Sequence, residues 1–462
     1  MSSASPPGHW LFGHARLFRR DPLGYATILA RTCGDRVPLR FLTRRALLIS
    51  HPQGIGEVLV GKSRSFRKHF ALRLARPALG DGLLISEGST WTQHRQIVQP
   101  AFRKEAIASY APIMVEHATR LVDHWQDGQT LDVHLQMIDV TARIVTQCLF
   151  GTELGAGADE AHAAMAILTE SFKSRLDALV HLPLILPTPA NRRFRRAMAG
   201  IDGVLGRIIS QRRQGPPRPD VLSALLQAAR PDGTPALDDR AIRDEVATLF
   251  LAGHETTANA LSWTHWLLAR HPDCQARLER ELDETLAGRP PSLADLPQLP
   301  YCRQVIEESM RLMPPAWIIG REALVPVEIA GALVQRGTTV LMSPWVVHRD
   351  RRWFAEPERF LPERWGDGLA ERLPDFAYFP FGGGARSCIG AGFARMEMAL
   401  LLACMASRFR MTLAPGARIE ALPTITLRPR WGMPMVLQAR SSPVPTIPPP
   451  QLRPNAPARL AT

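Results

Sequence analysis

From Asp238 to His271 the sequence keeps one amphipathic helical pattern, opened by acidic residues that suit a helix N-terminus and closed before Pro272. At ~1.5 Å per residue this helix is about 50 Å long, enough to cross a whole domain. Whatever else the chain forms has to be arranged along it. An earlier apolar stripe at Tyr110, Met114, Ala118, Leu121 and Trp125 predicts a second helix ending near Gly128, and helical patterns continue to about Cys404. Strand patterns lie toward the two ends. Val37 to Phe41 and Ala46 to Ile49 flank Thr43-Arg44-Arg45 as a hairpin, and strand-like runs return at Val327 to Ala330, Thr338 to Met342, Thr424 to Leu427 and Met435 to Leu437. Sheets drawn from both ends imply a single α+β domain, mainly α with small β-sheets, over residues 1–440. The proline-rich remainder, 441–462, is expected to be a disordered tail. Leu182 to Thr188, with Pro183 and Pro187, must interrupt two helices; it suits a lid over a pocket and an ordinary interhelical loop equally well.

A formal net charge of +13 admits nucleic acid, an anionic membrane surface or an acidic protein as partner. The arginines responsible are scattered in pairs such as Arg19-Arg20, Arg192-Arg193 and Arg351-Arg352, with neither zinc-finger spacing nor one long basic run. That argues against a nucleic-acid module. The six cysteines (Cys33, Cys148, Cys274, Cys302, Cys388 and Cys404) form no CxxC pair or disulfide framework and suit a reducing cytoplasm. No signal peptide is visible in the polar start Met1 to Pro7. The longest apolar runs, such as Met398 to Ala406, fall far short of the ~18–20 residues that span a bilayer, so no transmembrane anchor is expected.

Cys388 stands apart from the other five cysteines. It lies in Phe381-Gly382-Gly383-Gly384-Ala385-Arg386-Ser387-Cys388-Ile389-Gly390, a glycine-rich bend immediately before the helical pattern Phe393, Met396, Leu400, Ala403. Glycines let the backbone approach a flat ligand closely, while amide donors at the bend and the positive end of the next helix stabilise a thiolate. Arg386 adds a cation able to pair with a carboxylate. A cysteine in a glycine-rich bend is by itself compatible with an inert buried thiol; the full ten-residue pattern is not. It resembles the haem-binding signature of the cytochrome P450 family, Phe-x-x-Gly-x-Arg-x-Cys-x-Gly, with every fixed position met at Phe381, Gly384, Arg386, Cys388 and Gly390. The resemblance implies the cytochrome P450 fold, haem b between the long helix and this loop, and Cys388 as the ligand to the iron.

Further signatures of that family occur in its order from about Pro6 to Arg440. Glu308-Ser309-Met310-Arg311 matches Glu-x-x-Arg, a pair on one helix face that can bond a second arginine downstream. Arg359 and Arg364 are both candidates, and the family's Phe-x-Pro-Glu-Arg fits Phe360 to Arg364, which favours Arg364 in a structural role. Ala252-Gly253-His254-Glu255-Thr256-Thr257 matches the oxygen-binding motif. Thr256 can bond back to the carbonyl of Ala252, bending the helix and opening a groove for O₂. Its neighbour Glu255 cannot share that face and is expected toward a water path, the two forming the catalytic pair. His254 suits a solvated helix position rather than iron ligation. Trp91, His94 and Arg95 in Trp-Thr-Gln-His-Arg, together with Arg321, match residues that meet the haem propionates, although Trp91 could equally be plain core.

The implied activity is that of a monooxygenase inserting one oxygen atom from O₂ into a hydrophobic substrate, a fatty acid or terpenoid. Electrons would come from a separate ferredoxin or flavodoxin with its NAD(P)H-dependent reductase, and the basic surface suits an acidic partner, with Arg103 and Lys104 as candidate contacts. Similarity to bacterial fatty-acid hydroxylases maps an apolar pocket of Leu84, Leu251, Ala252, Ala316, Trp317 and Ile425, each of which could also be ordinary core. It also makes Arg44 or Arg45 an anchor for a substrate carboxylate. Two alternatives stay open. A peroxide-dependent hydroxylase usually carries Arg-Pro where this chain has Glu255-Thr256, and a non-enzymatic haem sensor or carrier would not need that pair.

Overall fold

The computed structural model describes residues 6–153 and 183–440, together with 164, 167–168, 170–172 and 174–175; segment 441–462 lies outside them. The long helix runs Asp239–Arg270. Asp238 starts it by accepting a hydrogen bond from the amide of Ala241, and the chain leaves it at His271, just before Pro272. Helix Val133–Phe150 packs along it. The two backbones come close at Gly253, where a Cβ would sit 2.9 Å from Val145 Cγ2. Thr141 Oγ1 donates to the carbonyl of His254 at 3.1 Å across the same contact.

Helix Lys104–Asp123 buries Tyr110, Met114 and Ala118 as its stripe predicts, but it stops short of Gly128. Its last amides turn back three residues instead of four, Trp125 N to Val122 O, and the indole of Trp125 packs edge-on against Phe409 at 5.6 Å. Helix Ala391–Arg408 lies against it, with Phe393 and Tyr110 edge to face at 5.8 Å.

The largest sheet joins distant parts of the chain. Its strand order is Arg36–Phe41, Arg44–Ile49, Thr339–Met342, Ile319–Ala323, Phe66–Lys68, with only the second and third strands parallel. A three-stranded sheet sets Pro434–Ala439 between Thr130–Asp132 and Phe409–Leu413. One expectation needs correction: Thr424 to Leu427 is not a strand. Ala421–Pro423 and Leu427–Pro429 form a small hairpin, and Thr424–Thr426 is its bend, closed by Thr424 N and Oγ1 donating to Thr426 O. Ile425 therefore sits at a tip. Of the proline-bounded segment, Leu182 falls outside the described residues. Ile185 is 82% exposed, and Thr188 caps helix Pro189–Gln214. Among the described residues no helix is long and apolar enough to cross a membrane.

Candidate active site

The path of the cysteine bend is set by missing side chains. Gly384 has φ +66°, and a Cβ there would lie 2.0 Å from the carbonyl oxygen of Leu59, so glycine is required. The amide of Cys388 closes the turn by donating to Phe381 O at 2.9 Å, and the Arg395 guanidinium lies 4.5 Å over the Phe381 ring. Gly390 then begins helix Ala391–Arg408. Cys388 keeps accessible surface even though protein mass surrounds it on most sides. That crowding raises its thiol pKa, while the Gly390 amide and the Arg95 and Arg395 guanidiniums pull back toward the thiolate. Arg95 Nη1 also donates to Ser387 O at 3.1 Å, so this arginine grips the bend itself.

Beside the bend lies a surplus of positive charge. Antiparallel pairing of Phe66–Lys68 with Ile319–Ala323 sets Lys68 opposite Arg321. Lys68 Nζ is buried and donates to the carbonyls of Leu83 and Ser86 at 2.8 and 2.6 Å. Burial lowers its pKa to about 8, with Glu87 opposing and Arg386 and Arg321 assisting. Burial lowers Arg321 to about 10, with Arg386 again assisting. Arg386 pairs with Glu87 at 2.5 Å and lies 5.8 Å over the half-buried Trp91 ring. Its buried Nε has no partner among the described residues. His94 is buried with Nδ1 held by Glu245 at 2.5 Å, which leaves one ring nitrogen for anything else. Three cations share Glu87 as their near counter-charge, so the cluster can accept further carboxylates. The two propionates of a haem beside Cys388 fit that surplus and the orphaned Nε of Arg386. Lys68 and Glu87 escaped the sequence reading, because strand pairing brings the first here and the second, at the start of helix Gly88–Val98, reaches the cluster by accepting from the Lys68 amide at 2.5 Å.

On the long helix, Thr256 Oγ1 donates to Ala252 O at 2.8 Å and Thr257 Oγ1 to Gly253 O at 3.2 Å. Ala252 is exposed and Thr256 half-buried, whereas His254, Glu255, Thr257 and Ala258 are buried. An accessible strip thus opens at the predicted groove. Glu255 does not face open water. Its carboxylate accepts from Thr426 Oγ1 at 2.7 Å, and Asn259 Nδ2 donates to the same hydroxyl oxygen at 3.2 Å. Burial pushes the Glu255 carboxyl up, and the Thr426 bond and Arg428 charge oppose that. The expectation for His254 is also corrected. It is 2% exposed, bonded through Nδ1 to Phe250 O at 2.6 Å, because helix Val133–Phe150 covers it. A buried acid that the sequence reading missed, Glu397, borders Thr257, and burial raises its pKa well above the usual range.

Glu308 and Arg311 are fully buried and doubly bonded to each other at 2.8 and 2.9 Å. Arg364 Nε reaches Glu308 at 2.9 Å; Arg359 offers Arg311 its carbonyl and turns its side chain to Glu356. Arg311 also donates to His348 O, and His348 Nε2 accepts from Phe379 N, two residues before Phe381. The network thereby braces the cysteine bend.

Leu84, Leu251 and Ile425 share an apolar cluster with Leu79, Ile85 and Phe172, and Leu251 and Ile425, but not Leu84, line a narrow cavity with Ala247 and Phe250. Ala316 is half-buried outside that cluster. Trp317 does not line the cavity: its indole is buried in the main core, where Nε1 finds the Thr424 carbonyl at 3.0 Å. Arg44 and Arg45 are exposed, and Arg44 lies 4.2 Å over the Phe70 ring. Arg103 and Lys104 are exposed where helix Lys104–Asp123 begins. A broader polar groove between Arg213, Arg230 and Asp239 lies at the start of the long helix, roughly 25 Å from Thr256 by helix rise, and is bridged by the Arg213–Asp239 pair.

A family model described as cytochrome P450 matches residues 4–430. The chain belongs to the cytochrome P450 family. It is 37% identical to cyclooctatin synthase of Streptomyces melanosporofaciens, over 92% of this chain and 93% of that one. A cyclooctat-9-en-7-ol 5-monooxygenase from the same organism is also 37% identical, over 90% and 93%. Pentalenene oxygenase of Streptomyces avermitilis is 33% identical, over 92% and 95%. As a cytochrome P450, this protein is a haem b monooxygenase that inserts one atom of O₂ into a hydrophobic substrate.

Proposed function

We propose that this cytochrome P450 hydroxylates a terpenoid in the cytoplasm, with electrons from a ferredoxin or flavodoxin and its NAD(P)H-dependent reductase. The observation that carries the reading is the largely apolar cavity walled by Ala247, Phe250, Leu251 and Ile425, whose Leu251 directly precedes the exposed Ala252 on the long helix. The names of the relatives from Streptomyces favour a terpenoid over a fatty acid. Exposed Arg103 and Lys104 suit an acidic electron donor.

In this reading Cys388 is the iron ligand, and Lys68, Arg321 and Arg386 hold the propionates, with Trp91, His94 and Arg95 closing the site. When bound, haem with a thiolate ligand activates O₂ for insertion into a C–H bond. The residues of the long helix govern protons. Glu255 keeps its proton better than an exposed acid would, since burial raises its pKa, and Thr426 fixes its orientation. The Thr256 hydroxyl orders water in the groove so that protons arrive where oxygen is reduced.

With a surrogate ferredoxin, its reductase and NADPH, a panel of polycyclic terpenoids should yield products heavier by one oxygen atom, and the same compounds should move the Soret band to the high-spin position. Turnover of linear fatty acids with no product from any terpenoid would replace this substrate class with the other. Thr256→Ala should keep haem content and substrate affinity while diverting NADPH into hydrogen peroxide, lowering the ratio of product to NADPH roughly tenfold. An unchanged ratio would pass the role to Thr257 or to ordered water.

A further inference from the structure

Among the described residues, the cavity against Leu251 contains one charged side chain. Leu79, Phe172, Phe250, Leu251 and Ile425 line it together with Arg175. Arg175 is half-buried, and its Nε is buried without a hydrogen-bond partner among the described residues. Among the described residues no carboxylate lines the cavity. Acids on the elements that line it are already engaged among the described residues: Asp202 and Asp244 with Arg243, at 2.5 and 3.1 Å, and Glu170 with Arg193 at 3.2 Å. An arginine kept for its aliphatic stem turns its head toward water. A guanidinium donor buried in an apolar wall instead leaves hydrogen-bonding capacity that a ligand can satisfy.

We propose that Arg175 determines specificity by binding an acceptor oxygen on the substrate, a carboxylate in preference to a hydroxyl, at a position other than the carbon that is oxidised. The cavity places the two ends of such a molecule. Leu251 precedes Ala252, whose carbonyl receives the Thr256 hydroxyl, so the hydrocarbon reaches the oxygen groove while its polar group stays at Arg175. A substrate of this kind already carries oxygen. The reaction that supplies it must therefore be one that installs a hydroxyl or carboxyl group on the hydrocarbon, and this enzyme acts after it.

The proposal rests on reading the cavity as the substrate pocket of the monooxygenase. Two matched series test it on the haem-loaded enzyme: abietic acid, abietinol and abietadiene, and dodecanoic acid, dodecan-1-ol and dodecane. Binding is followed by the Soret shift, and by titration calorimetry for compounds that leave the Soret band unmoved. In the wild type at least one acid should bind roughly tenfold or more tightly than its hydrocarbon, with the alcohol between them. Arg175→Leu should erase that ranking and leave hydrocarbon affinity unchanged, while Arg175→Gln should keep the preference for the alcohol. The proposal is overturned if neither acid binds, or if Arg175→Leu preserves the acid-to-hydrocarbon ratio. The CO-difference spectrum separates two failures. A wild type without the thiolate band overturns the monooxygenase reading and the anchor with it; an intact band with binding indifferent to Arg175 overturns the anchor alone.

Discussion

Cys388→Ala is expected to abolish oxygenation and to remove the strongly red-shifted Soret band of the reduced CO complex. None of the other cysteines can substitute. Cys148, Cys302 and Cys404 are buried thiols held above the ordinary range by desolvation; Cys33 ends its helix, where the carbonyl end disfavours a thiolate, and burial raises the Cys274 thiol. At Cys388 burial raises the thiol, and the Gly390 amide and two guanidiniums oppose that rise on the only one of the six that the structure leaves exposed. Alanine removes the sulfur and nothing else, so the variant should keep its helical content. A Cys388→Ala enzyme with the wild-type CO spectrum would refute the assignment. Cys302→Ala, treated identically, should retain the band.

Glu308→Ala should have the largest effect on stability. The Glu308 carboxylate receives five hydrogen bonds, from Arg311 Nε and Nη2, Arg364 Nε, Trp365 Nε1 and the amide of Leu361. Removing it strands the fully buried Arg311 charge, a loss of about 3–5 kcal/mol for a broken buried pair. Against a total stability of about 5–15 kcal/mol, that leaves little margin. The expected drop in thermal midpoint is about 3–5 °C, at about 1 °C per kcal/mol for a chain of this length, with lower haem retention because the brace on the cysteine bend is gone. Glu308→Gln keeps the shape and should lie between. A midpoint within about 1 °C of wild type for Glu308→Ala would mean that the network carries no net stability.

What the sequence disclosed depended on range. The long helix was legible to within a residue at each end because its signals are local: Asp238 caps it and Pro272 stops it. The Thr256 back-bond and the choice of Arg364 were legible for the same reason, through four-residue spacing and a short phrase of sequence. Misreadings arose where tertiary contacts decide. The β-branched run Thr424–Thr426 resembles a strand, but a hydroxyl folds it into a bend that buries Thr426 against Glu255. His254 carries no mark of which side a neighbouring helix will cover. The cation cluster needs a register between strands about 250 residues apart, and the site of Arg175 depends on walls drawn from five segments of the chain.

Parallel pairing of Arg44–Ile49 with Thr339–Met342 sets a clock on biosynthesis. At about 5–20 residues per second, the partner strand leaves the ribosome roughly 15–60 s after the first. Throughout that interval Ala46, Leu47, Leu48 and Ile49, all buried in the finished molecule, form an apolar strand with one unpaired edge. Yield in a heterologous host should thus depend more on chaperone supply and translation speed than on the stability of the completed enzyme.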